Sequence, residues 1–214
     1  MIFNLLLLIH ILSGSTSMSC SLAAIATKKG SAQHKRYGRY FFYGMTGVFI
    51  TAIPMSLIKK NLFLFLIALF SYYLVYSGKR YARRHDNIIP ISDWIVCFSM
   101  IAASLIMVAL GIWNFNVNDS QSIVLIVFGL LGMSFSLNDA RLYYKKSISN
   151  SIRITRHLGA MLGGTIAAYT AFLVTNINFS QPIFLWLGPT IVGTPIIIYW
   201  TRKVENKKGL FGIK

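Results

Sequence analysis

The fold class this sequence predicts is an all-α, polytopic membrane helix bundle of about seven transmembrane spans, and three observations carry that prediction. Of 214 residues, 55% are hydrophobic and 12% charged, whereas soluble domains carry about a quarter charged residues. The apolar residues gather into runs of about 20, the length a helix needs to cross a hydrocarbon core of about 30 Å. Lysine and arginine collect in the gaps between runs, and mostly in every second gap.

The first run, 2–26, has no Lys or Arg before Lys28. It therefore lacks the positive leader of a cleaved signal peptide and is expected to stay as a span. Steps of three and four place His10, Ser13, Ser17, Ser21 and Ala24 on one stripe, a small-residue face of the kind membrane helices use for close packing. Span two, 37–58, shows Tyr40, Gly44, Gly47 and Thr51 on a similar stripe and is expected to end near Pro54. A tight Lys59-Lys60 turn makes span three, 61–78, its antiparallel neighbour, with Tyr72 and Tyr76 read as core or interface residues. Span four, 92–113, is bracketed by Trp94 and Trp113, roughly 28 Å apart along a helix and so close to the spacing of the two interfacial aromatic belts. Span five, 121–138, aligns Gly129, Gly132 and Ser136 with Asp139 just beyond. Span six, 155–175, pairs Gly159 with Gly163 and His157 with Gly164. Span seven, 182–201, contains Pro189 and Pro195, which should kink or interrupt it, with at least one face inside the bundle. The whole chain, 1–214, is read as a single transmembrane domain. The Gly-rich faces suit packing within the bundle or between copies in a homo-oligomer.

The charges test this assignment independently. The stretches 27–39, 79–91, 139–156 and the tail hold nineteen of the 21 Lys and Arg residues, and only Lys59 and Lys60 fall on the other side. Positive residues stay in the cytosol, so the N-terminus is expected outside and the C-terminus in the cytosol. A net charge of +16 placed in short loops fits anionic lipid headgroups as partners. A nucleic-acid groove would need a soluble basic domain, for which no stretch is left. Cys20 and Cys97 both lie inside apolar runs and read as free packing residues.

Ionisable groups in or near hydrocarbon cost a few kcal/mol or more unless paired or hydrated, which makes them the candidate functional residues. His10 is the one well inside a span. His34, Arg36 and Arg39 precede span two, Asp139 leaves span five, and Arg156 and His157 open span six, all at the inner membrane level. His85 is expected in a solvated loop. Asp139 and Arg156 border one loop and invite an ion pair.

At these residues the chain resembles a group of uncharacterised bacterial multi-pass membrane proteins, classed as domains of unknown function. The similar features are His10-Ile-Leu-Ser-Gly14, then His34-Lys35-Arg36-Tyr37-Gly38-Arg39, then Arg156-His157. The resemblance implies a polytopic protein of the bacterial plasma (inner) membrane and brings no activity with it.

Three functions compete. The first is binding or transport of a small ligand or anion at a cytosol-facing cluster of His34, Arg36, Arg39, Asp139, Arg156 and His157. The second is a membrane redox protein, enzyme or electron carrier, binding haem b through histidine axial ligands. His10 lies some 24 Å from the inner end of its span, which leaves His34 with His157 as the only bis-histidine pair. The third is a structural or assembly partner. Hydrolytic or zinc chemistry is disfavoured, because the five acidic residues form no pair on one span and the cysteines lack ligand spacing.

Overall fold

The computed structural model describes residues 1–83, 88–115, 119–146 and 148–211, with side chains as far as Asn206. Seven α-helices follow one another: α1 (Ile2–Ala26), α2 (Ala32–Ile58), α3 (Leu62–Arg83), α4 (Ile91–Trp113), α5 (Ser120–Lys145), α6 (Asn150–Asn176) and α7 (Pro182–Phe211). Each has a stretch long and apolar enough to cross a membrane, and no strand occurs among the described residues. The described residues are all-helical, one of the two backbone arrangements that can span a membrane. Arg84 and His85 lie outside the described residues.

Several helices outrun the apolar windows that predicted them. Ser31 caps α2, its hydroxyl accepting from the His34 N–H at 3.2 Å, so the basic cluster from His34 to Arg39 rides on the first two turns of helix. Ser149 caps α6 in the same way through the Ile152 N–H, which sets Arg156 and His157 inside the helix. Helix α5 runs on past Asp139 to Lys145 and stops at Lys146, which takes a left-handed conformation (φ 48°, ψ 28°). Hydropathy windows lose these ends because their residues are polar, while the backbone continues wherever a cap or a neighbour satisfies it.

The expected breaks at proline do not occur. Pro54 sits inside α2, and Pro189 and Pro195 sit inside α7. A proline removes one N–H and crowds one carbonyl, but breaking the helix would strip hydrogen bonds from several residues in a medium without water. Continuation is the smaller cost. Helix α7 packs one face on α6 and leaves most of its surface exposed.

The chain forms two compact units, Met1–Tyr72 and Tyr73–Lys214, with the boundary inside α3. In the first, α1 lies on α2 along the small-residue stripe, burying Ser17, Ser21 and Ala24. The fit is close: a Cβ on Gly44 would collide with Ser17 Oγ and lie 2.8 Å from the Ser13 carbonyl oxygen, and one on Gly47 would lie 2.5 Å from Ser13 Oγ. The first half of α3 joins through Tyr72, whose ring stacks on Phe49 at 4.3 Å.

In the second unit α4 pairs with α5 and α6 with α7, and α5 also touches α7. Glycines again mark the approaches. A Cβ on Gly111 would lie 2.8 Å from the Ser122 carbonyl oxygen, and one on Gly129 would lie 3.1 Å from that of Ser104. Gly78 of α3 faces Met161 of α6 at 3.0–3.2 Å.

Candidate functional site

Asp139 is fully buried on α5, on the face that also carries Gly129, Gly132 and Ser136. A carboxylate there must be met by donors, and four converge on it. Tyr73 Oη and Ser77 Oγ donate to Oδ2 at 2.6 and 2.9 Å, and Tyr81 Oη donates to Oδ1 at 2.9 Å. The fourth donor is Arg156 Nη2 from α6, which forms an ion pair with Oδ1. The three hydroxyls come from one helix at steps of four, so a single face of α3 presents them in a row.

Arg156 is held from several directions. Its Nη2 also donates to the Phe135 carbonyl at 3.0 Å, and the guanidinium lies 5.7 Å from the ring centroids of both Tyr81 and Phe135. Planar packing between aromatic faces with one edge on a carboxylate is what guanidinium geometry favours over an ammonium. Both of these hydrogen bonds use Nη2, and the Tyr81 hydroxyl is a further hydrogen-bonding neighbour of the guanidinium.

Arg156 lines a cavity of about 450 Å³. Tyr73, Ser77, Asn138, Thr155 and Arg156 supply polar lining, Leu74, Leu142, Ile152 and Ile197 supply apolar lining, and Thr201 and Glu205 of α7 complete the wall. Its size falls in the range of small-molecule sites, about 300–1,000 Å³, and so does its character: mostly apolar with a few placed polar groups.

A second buried acid stands in the same unit. Asp93, in the first turn of α4, is 2% exposed and forms an ion pair with Arg80 of α3, Nε lying 2.8 Å from Oδ1. Together the two pairs tie α3 to α4 and α5 to α6. Cys97 adds a buried thiol that donates to the Ser136 carbonyl at 3.1 Å, and Cys20 and Cys97 are both free.

Of the predicted site residues, the structure brings Asp139 and Arg156 together. His157, one residue on, turns to α3 and donates Nδ1–H to the Gly78 carbonyl at 2.8 Å. His34 belongs to the first unit, where its Nδ1 donates to the Ala24 carbonyl at 2.9 Å at the start of the α1–α2 seam. Arg36 and Arg39 are exposed on α2, Arg36 over the ring of Tyr40 at 5.8 Å. His10 is half-buried and lies 2.9 Å from Thr51 Oγ1. The Thr51 proton goes to its own helix, at the Gly47 carbonyl (2.7 Å), so His10 Nδ1 is the donor of that bond. No group of three or more His, Cys, Asp or Glu suited to a metal ion occurs among the described residues.

Sequence reasoning missed Tyr73, Ser77, Tyr81, Arg80 and Asp93. A signal for the first three was present: hydroxyl residues at i, i+4 and i+8 on one span imply a buried acceptor on another. No protein-family model, curated protein or solved structure matches this chain.

Proposed function

We propose that this is a small-ligand binding protein of the bacterial plasma membrane that takes an anionic group of its ligand on Arg156. One observation carries the reading: a largely buried arginine, its side chain 16% exposed and held by Asp139 and Phe135 through Nη2, lines a cavity of about 450 Å³. Arginine presents donors as a fork, and a carboxylate or phosphate oxygen pair matches two of them. Asp139 acts here as the positioning residue. Its four donors occupy both oxygens, so it orients Arg156 and is not offered to the ligand.

The charge distribution supports an orientation with the N-terminus outside and the C-terminus in the cytosol, which opens the cavity toward the cytosol. Reporter fusions after Lys29 and Lys146 should then read cytosolic, and a fusion after Asn178 external. The opposite pattern overturns that orientation.

The binding reading is tested by calorimetric titration of the purified protein with N-acetyl-leucine, a carboxylate on an apolar body. Saturable binding is expected. Arg156→Lys, which keeps the charge beside Asp139 but loses the fork, should weaken it about tenfold. An unchanged affinity in a folded Arg156→Lys protein overturns the assignment, as does failure to hold either this probe or an anionic lipid headgroup.

A further inference from the structure

We infer that the ligand of this cavity is a zwitterion, with its anionic group on Arg156 and a primary ammonium on the acceptors around it. The inference rests on the binding reading above and adds the class of ligand.

A hydroxyl has one proton to donate, and each hydroxyl near Arg156 with an assigned bond has used it. Tyr73 and Ser77 give theirs to Asp139 at 2.6 and 2.9 Å, and Thr155 gives its own to the Ser151 carbonyl at 3.0 Å. All three residues line the cavity, so these oxygens can present only lone pairs to a ligand. Arg156 supplies donors alone, Asn138 of the lining carries both donors and an acceptor, and the three hydroxyls supply acceptors. An anion without donors would satisfy the arginine and leave the hydroxyl oxygens facing its body unmatched.

Charge points the same way. Arg156 and Asp139 together are neutral, and Glu205, one of only five acidic residues in the chain, adds a negative charge to the lining. Helix α7 brings Ile197, Thr201 and Glu205 to the cavity at steps of four, so Glu205 stands on the cavity-facing row of that helix. A plain anion would be opposed by Glu205, and a plain cation would leave the Arg156 donors without an acceptor. A ligand carrying both charges meets each pole with its opposite, and Leu74, Leu142, Ile152 and Ile197 leave an apolar wall for its body.

This chemistry has two sources, a free amphiphilic amino acid or the headgroup of a phosphatidylethanolamine lipid. Full-length protein in phosphatidylcholine nanodiscs is titrated with leucine and with N-acetyl-leucine, which keeps the carboxylate and loses the ammonium. In parallel, retention of phosphatidylethanolamine and of its N-acetylated form is compared by native mass spectrometry. A free zwitterion predicts leucine binding about tenfold tighter than N-acetyl-leucine, and a headgroup predicts a similar preference for the unmodified lipid. In either case Glu205→Gln and Thr155→Val should each weaken the ammonium-bearing probe about threefold without weakening its acetylated partner, a pattern that loss of fold does not produce. If N-acetyl-leucine binds while neither ammonium-bearing probe is preferred, the zwitterion is overturned and the binding site stands. If none of the four is held, both fall.

Discussion

The two units hold their helices together by different means. Between α1 and α2 the contact is made of absences: glycines at 44 and 47 let the backbone of α1 come close, and the serines opposite them bond to their own helix, Ser17 to the Ser13 carbonyl at 2.9 Å and Ser21 to the Met18 carbonyl at 2.8 Å. Two polar contacts cross that seam, His10 with Thr51 and His34 with the Ala24 carbonyl. In the second unit the helices are joined through buried charge, with α3, α5 and α6 meeting on one carboxylate and α3 and α4 on another. In the second unit the polar network stands beside a cavity. A seam of small residues is closed by its own fit, whereas a polar network has geometry to spare for a ligand.

The largest test of that contrast is Asp139→Asn. It preserves shape but strands the Arg156 charge among hydroxyl donors, and removing one partner of a buried pair costs about 3–5 kcal/mol. A fall of that size in thermal unfolding in detergent is expected, and a loss below about 1 kcal/mol would show that water already reaches the pair.

Next comes Gly44→Leu. Even its Cβ would strike Ser17 Oγ, so α1 must move away, at about 1–3 kcal/mol for overpacking or more. Gly163→Leu in the second unit meets only the Leu74 side chain at 3.3 Å, and a side chain can yield where a backbone cannot. A smaller effect at 163 than at 44 is expected in the same melting assay, and the reverse order would move the tighter seam to the second unit.

Hydroxyl deletions sharpen the comparison at smaller scale. Tyr73→Phe removes a donor to a charged acceptor and should cost about 1.5–3 kcal/mol. Ser17→Ala removes a bond to a carbonyl that already has its helical partner, and should fall within about 0.5 kcal/mol. Equal effects would mean that Asp139 behaves as a neutral acceptor.

The smallest effect lies outside the spans. Asp119 caps α5, and the Ser122 hydroxyl, helped by the Gln121 and Ser122 N–H groups, holds its carboxyl below the usual carboxylate range. Because folding favours the charged form, the stabilisation is present above the unfolded value of about 3.9 and is lost as pH falls through the lower folded value. Melting curves of the parent and Asp119→Asn should therefore differ slightly at neutral pH and converge below about pH 4. A difference that is constant with pH would show that the cap works as a hydrogen-bond acceptor only.

Seven spans were legible because hydrocarbon imposes a length and a composition on every helix that crosses it, and the α1–α2 stripe was legible because small residues at steps of three and four have few other uses there. Asp139 and Arg156 could be read as neighbours from the short loop between their helices. The hydroxyl row on α3 could not be reached the same way. Hydropathy counts tyrosine by its ring, and Tyr72 with Tyr76, one residue out of step, drew attention to a stripe about 100° around the helix from Tyr73, Ser77 and Tyr81. Asp93 escaped because an acid in the first turn of a helix is ordinarily a solvated complement to the dipole, and its burial depends on where Arg80 lands. His34 and His157 share a place at helix starts, and in the structure each ring is anchored to a carbonyl of its own unit, at Ala24 and at Gly78.

The row of hydroxyls on α3 also bears on how the chain is made. Synthesis delivers helices in order, so α3 is complete before α5 leaves the ribosome and α6 follows only afterwards. Asp139 thus arrives with three donors already waiting and its countercharge still to come. An acid alone in a nascent span costs a few kcal/mol or more in hydrocarbon, and the donors from the earlier helix reduce that cost at the moment it is largest. Arg156 in turn enters beside a carboxylate that is already in place, so Asp139 and Arg156 each find a partner on arrival.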